Sequence, residues 1–126
     1  MDISCGEEHA ALITKDNQLF TWGYGHDGQL GHQSKNQLTT PVKVEKVGKV
    51  VKVVCGGGHT AFITVEGELF LFGRGRDGQL GRADIMESIA VSRPVPMKVD
   101  FFPHNSLIVK DIALGTNHTV ALAENK

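Results

Sequence analysis

Two cysteines, four prolines, one tryptophan and one tyrosine in 126 residues rule out several architectures before any motif is read. Two thiols are too few for a disulfide-stapled secreted scaffold, and they stand at matching places in an internal repeat, which argues for packing over pairing. An excess of charge is lacking too. Thirteen basic and fourteen acidic residues give a formal net charge of −1, so nothing draws the whole chain to nucleic acid or anionic lipid. The longest mainly apolar stretches, such as VGKVVKVVC, fall far short of a membrane span and carry lysines, and MDISCGEEH has no basic start leading into an apolar segment. The reading is a chain of the reducing cytoplasm or nucleus, without membrane association.

A helix is missing where one motif needs it. GYGHDG, from Gly23 to Gly28, spells the GxGxxG pattern that lets a backbone approach phosphates, and the apolar run LFTW precedes it. A dinucleotide site also needs a helix to follow, whose N-terminus receives the phosphate. HQSKNQLTTP follows Gly31 instead, polar, ending in Pro41 and without an apolar stripe of helical period. The pattern therefore reads as a turn.

What is present is a repeat. A shift of 50 positions lays CGEEHAALIT over CGGGHTAFIT and QLFTWGYGHDGQLGH over ELFLFGRGRDGQLGR. A third copy of the first block, LGTNHTVALA, follows 59 positions after the second, with Gly115 and His118 matching Gly56 and His59. Such periods mark propellers, solenoids or arrays. AALIT, LFTW, VVKVVC, TAFIT, LFLF, IVKDIAL and TVALA read as short strands parted by glycine, asparagine and aspartate. PVKV and VPMKV read as the outermost strands of their units, where the prolines at 94, 96 and 103 cost little. Near-continuous apolar character in VVCGGGHTAFIT predicts cover on both faces, as when sheets stack on sheets.

Within this frame the glycines at Gly6, Gly56 and Gly115 are expected to turn the chain with positive φ. His9, His59 and His118 recur one per unit, so stacking keeps them too far apart to converge on one metal ion. Each is expected to bond a backbone carbonyl of its own turn and to pack against the adjoining unit. Cys5 and Cys55 are expected in buried strand ends, and His26, His32 and His104, which do not repeat, on the surface. No nucleophile with a neighbouring base, no telling carboxylate pair and no ligand cluster is found, so no catalysis, cofactor or metal is expected.

The alternation of CGxxHT, an apolar strand, a second strand ending in WG or FG, and GxxGQLG resembles the regulator of chromosome condensation repeat. Trp22, Gly23, Gly28, Gln29, Leu30 and Gly31 carry it in one copy; Phe72, Gly73, Gly78, Gln79, Leu80 and Gly81 carry it in the next. The resemblance implies an all-β fold of four-stranded antiparallel propeller blades, normally seven around an axis. The chain then divides into 1–18, the inner strands of a preceding repeat; 19–64, repeat one; and 65–126, repeat two, with a longer connector over 82–106. Two repeats cannot close a ring, so the chain is part of a longer protein or its copies associate; the start in mid-repeat favours the first.

Function is expected where the copies differ. Tyr24 and His26 in one rim become Arg74 and Arg76 in the other, and these four are the candidate contacts for a protein partner. Ile85, Met86, Ile89, Phe101 and Phe102 in the long connector are expected to pack onto their blade. The lysines at 43, 46, 49 and 52, broken by Glu45, read as a solvated edge and not as a nucleic-acid patch. The family resemblance implies two classes of work: a non-catalytic interaction or regulatory scaffold, which the residues favour, and guanine nucleotide exchange on a small Ras-like GTPase.

Overall fold

The structure is a computed structural model that describes residues 2–25, 28–32, 37–74, 92–99, 106–115 and 119–125, with Arg74 and residues 92–95 described by their backbone. Every regular element in it is a strand: β1 (Asp2–Cys5), β2 (His9–Ile13), β3 (Leu19–Gly23), β4 (Leu38–Lys43), β5 (Val50–Cys55), β6 (His59–Thr64), β7 (Leu69–Arg74), β8 (Ser92–Lys98), β9 (Leu107–Leu114) and β10 (Thr119–Asn125). Within each sheet consecutive strands are antiparallel neighbours, and short connections join β1 to β2, β2 to β3, β5 to β6 and β6 to β7. Sheet one has the order β1-β2-β3-β4, sheet two β5-β6-β7-β8, and sheet three consists of β9 and β10. The fold is all-β, and the expected edge strands are at the edges: β4 carries Pro41, and β8 carries Pro94 and Pro96.

The two full sheets are built alike in detail. His9 pairs with Gly23 and Ile13 with Leu19; His59 pairs with Gly73 and Ile63 with Leu69. The last pair of strands slips register at the same place in each, between Thr21 and Gly23 and between Leu71 and Gly73. Gly23 and Gly73 have φ of 108° and 107°. The same residues at the same spacing give the same irregularity.

Alternation along each strand then gives each sheet a front and a back face. Ala11, Ile13 and Leu19 on the back of sheet one pack with Val53, Cys55, Phe62 and Phe72 on the front of sheet two. Ala61, Ile63, Leu69 and Leu71 on the back of sheet two pack with Val109 and Ile112 of sheet three. The core is thus divided into two layers between sheets, and β6 is buried along its whole length because it has a neighbour on both sides. On the front of sheet two the Phe62 and Phe70 rings stack at 5.1 Å, and Phe72 tilts against Phe62 at 6.1 Å.

Candidate functional site at the sheet junctions and rim

The same backbone bonds close both junctions. The Val50 amide donates to the Asn17 carbonyl and the Val109 amide to the Gly67 carbonyl, each at 2.9 Å; Glu7 donates to Gly56 at 3.4 Å and Gly57 to Gly115 at 3.3 Å. Gly6, Gly56 and Gly115 do not take the positive φ expected of them. Close approach is what demands glycine here: a Cβ on Gly56 would sit 2.8 Å from the Gly115 carbonyl oxygen and 2.6 Å from the His59 ring, and one on Gly6 would collide with the Gly56 carbonyl.

His9 is buried on the back of sheet one, and its partner is not the carbonyl of its own turn. Its Nε2 lies 2.9 Å from Thr60 Oγ1 in sheet two. The Thr60 hydroxyl stands 2.7 Å from the Gln29 carbonyl, which can only accept, so the single hydroxyl proton goes there. His9 therefore donates through Nε2–H, and its tautomer is fixed. The chain of bonds runs from sheet one to sheet two and back to the GQLG turn of sheet one. His59 repeats the first link, Nε2 lying 3.1 Å from Thr119 Oγ1 of sheet three. His9 Nδ1 is buried without a hydrogen-bond partner, and burial, with the nearby His59 adding to it, brings the imidazole pKa down to about 4. The ring stays neutral at pH 7.

The turn that looked like a phosphate cradle is part of the same junction. Gly28 donates to Gly25 at 2.9 Å and Gly31 to Gly28 at 3.2 Å, and Gln29 and Leu30 are buried. Gly31 has a φ of 75° and lies so close to sheet two that a Cβ would come within 3.0 Å of the Phe72 ring. Trp22, on the front of sheet one, is half-buried. His32, expected on the surface, is half-buried instead: the Thr21 hydroxyl donates to the Leu30 carbonyl at 2.6 Å, so His32 Nε2–H donates to Thr21 at 2.9 Å. Burial lowers the His32 pKa, against a weaker upward pull from Glu45. The ring borders a cleft of about 450 Å³ between the outer parts of sheets one and two, together with Gly31, Glu45, Lys46, Val47, Phe70 and Pro96.

The cysteines divide. Cys55 is buried, with its thiol 3.6 Å from the Ser4 carbonyl, and burial pushes its pKa up to about 12. Cys5 is exposed, contrary to expectation, because it shares the open front face with Ile3. Both are free thiols. Among the described residues no group of His, Cys, Asp and Glu is arranged to hold a metal ion. Lys52, expected at a solvated edge, pairs with Asp111 of sheet three at 3.1 Å. At the rim Tyr24 is exposed, its amide donating to the Glu8 carbonyl at 2.8 Å. Arg74 ends β7. His26, Arg76, Gly78, Gln79, Leu80, Gly81 and His118 lie outside the described residues, as do His104, Pro103 and the connector residues Ile85, Met86, Ile89, Phe101 and Phe102.

The model of the regulator of chromosome condensation (RCC1) repeat matches residues 16–63 and 66–122, and a second model of that repeat matches 2–29 and 50–79. The chain belongs to the RCC1 repeat family. Human RCC1 domain-containing protein 1 is 48% identical over 42 residues, 33% of this chain and 11% of that protein. Human HERC3, a probable E3 ubiquitin-protein ligase, is 55% identical over 42 residues, 33% of this chain and 4% of that protein. Among solved structures, the RCC1 protein of yeast (Prp20), seen with Kap60 bound, superposes over the whole chain with a TM-score of 0.88 at 17% identity. Prp20p of Saccharomyces cerevisiae, described with its binding to Gsp1p and histones, does so with a TM-score of 0.86 at 18% identity. The chain spans 30% and 31% of those two structures. The three sheets are blades of an RCC1-type β-propeller.

Proposed function

We propose that this chain serves as a non-catalytic protein-protein interaction or regulatory module of the cytoplasm or nucleus, in which the stacked sheets form the scaffold and the rim makes the contacts. The observation that supports this reading is the division of labour among the repeat positions. His9, His59, Gln29 and Gly31 face the junctions, whereas Tyr24 is exposed at the rim, at a position where the second copy has Arg74. Unlike residues on like scaffolds are where partner choice resides. An exposed aromatic in one copy and an arginine at the matching place in the next suit a protein surface, since both residue types are enriched at binding hot spots. Guanine nucleotide exchange on a small Ras-like GTPase is the second reading. The likeness to Prp20p, described with binding to Gsp1p, is what favours it.

Two assays separate the readings. A partner captured by crosslinking is lost on Tyr24→Ala and Arg74→Glu, while the thermal midpoint of each variant stays within the scatter of the parent; unchanged capture by both variants removes the rim from the account. Fast release of fluorescent GDP from a panel of small GTPases, at stoichiometric amounts of this chain, makes exchange the function and displaces the scaffold reading.

A further inference from the structure

We propose that Thr40 is a phosphorylation site, modified by a kinase that selects a proline directly after the acceptor hydroxyl and a basic side chain three places on. The stretch TPVK, Thr40 to Lys43, supplies both. Thr40 is the only serine or threonine in the chain that proline follows, and the second copy has Val95 at the matching place. The hydroxyl is thus another unlike group on a like scaffold. It rests on the function proposed above only for a setting in the cytoplasm or nucleus, where ATP is at hand.

The fold presents this stretch. β4 is the outermost strand of sheet one in the order β1-β2-β3-β4. Its pairing with β3 runs from Phe20 and Lys43 to Thr21 and Val42 and then jumps to Gly23 and Leu38, so Thr39, Thr40 and Pro41 bulge past Trp22 outside the ladder. Thr39, Thr40, Pro41 and Val42 are all exposed. Only Val42 and Lys43 must leave their partners for the stretch to lie extended in a kinase cleft, and neither belongs to the layers that hold the sheets together. The residue types fit such a cleft. A site that offers no acceptor to the amide after the target residue admits proline and penalises every residue that carries an N–H there. Lys43 brings a positive charge for an acidic recess beyond it. In the reaction the Thr40 oxygen bonds to the γ-phosphorus of ATP as the bond to the β,γ-bridging oxygen breaks; the hydroxyl proton passes to the kinase's carboxylate and ADP leaves. The phosphate adds a charge of about −2 and three strong acceptor oxygens to the outer edge, open to the arginines of a partner.

Incubation of the chain with a cyclin-dependent kinase and ATP, read by peptide mass spectrometry, tests this. Thr40 is expected to carry phosphate, Thr40→Ala to lose it and Thr39→Ala to keep it. Pro41→Ala is expected to slow the modification on the order of tenfold, and Lys43→Ala about threefold. Cys55, which is buried, is expected to stay closed to thiol reagents before and after modification. Thr40 left unmodified in the folded chain overturns the proposal. So does phosphate that appears on Thr40 only in the destabilised Phe62→Ala chain, modification that Pro41→Ala leaves equally fast, or opening of Cys55 when the phosphate is added. Partner capture at Tyr24 and Arg74 does not depend on Thr40, so failure here is distinct from failure of the rim contacts.

Discussion

The front faces of sheets one and two carry the same pattern and meet different fates. On sheet two Val53, Phe62 and Phe72 are buried; on sheet one Leu12 and Trp22 are half-open, and Ile3 is exposed. Residue type is nearly constant between them, so the neighbour sets the burial. The apolar repeat encodes a face that expects another sheet, and among the described residues sheet one's back, both faces of sheet two and sheet three's front have found theirs.

That contrast can be broken most sharply by deletion. Phe62→Ala removes a fully buried ring from the first junction and is expected to cost about 3–5 kcal/mol in chemical denaturation. Ile3→Ala, on the open face, is expected to cost less than about 0.5 kcal/mol. Equal losses would mean that the junction does not hold the stack. Acid is the next lever. His9 has a pKa of about 4 in the folded chain against 6.5 ordinarily, so the unfolded chain takes up the proton first. Stability is full above pH 6.5 and is lost progressively as pH falls toward 4, by about 3 kcal/mol in all. His9→Gln is expected to flatten that part of the profile; a parent profile already flat between pH 6.5 and 4 contradicts the neutral, buried imidazole. Gly31→Ala is expected to cost about 1–2 kcal/mol, since φ is positive and the new methyl group meets Phe72. No loss would place the GQLG turn away from sheet two.

The scaffold was legible because the repeat is local: strand lengths, edge prolines and the out-of-helix context of GYGHDG all follow from neighbouring residues. The junction chemistry was not, because it depends on which sheet comes next. His9 reaches Thr60, 51 positions away, and local geometry alone suggested the nearer carbonyl. A signal did exist, since threonine follows the histidine in HT at Thr60 and Thr119 but alanine does at Ala10. Cys5 and Cys55 read alike in sequence and differ in exposure for the same reason that Ile3 and Val53 do. The glycines were assigned freedom of φ when contact between neighbouring sheets was what excluded a side chain.

A double-mutant cycle on His9 and Thr60 measures the bond that ties one sheet to the next. With His9→Ala, Thr60→Val and the pair, unfolding free energies are predicted to be non-additive, with a coupling of about 1–2 kcal/mol carried by the imidazole, the hydroxyl and the Gln29 carbonyl behind it. Additive losses would show that the two side chains are neighbours without holding the sheets together, and the account of the junction would be wrong.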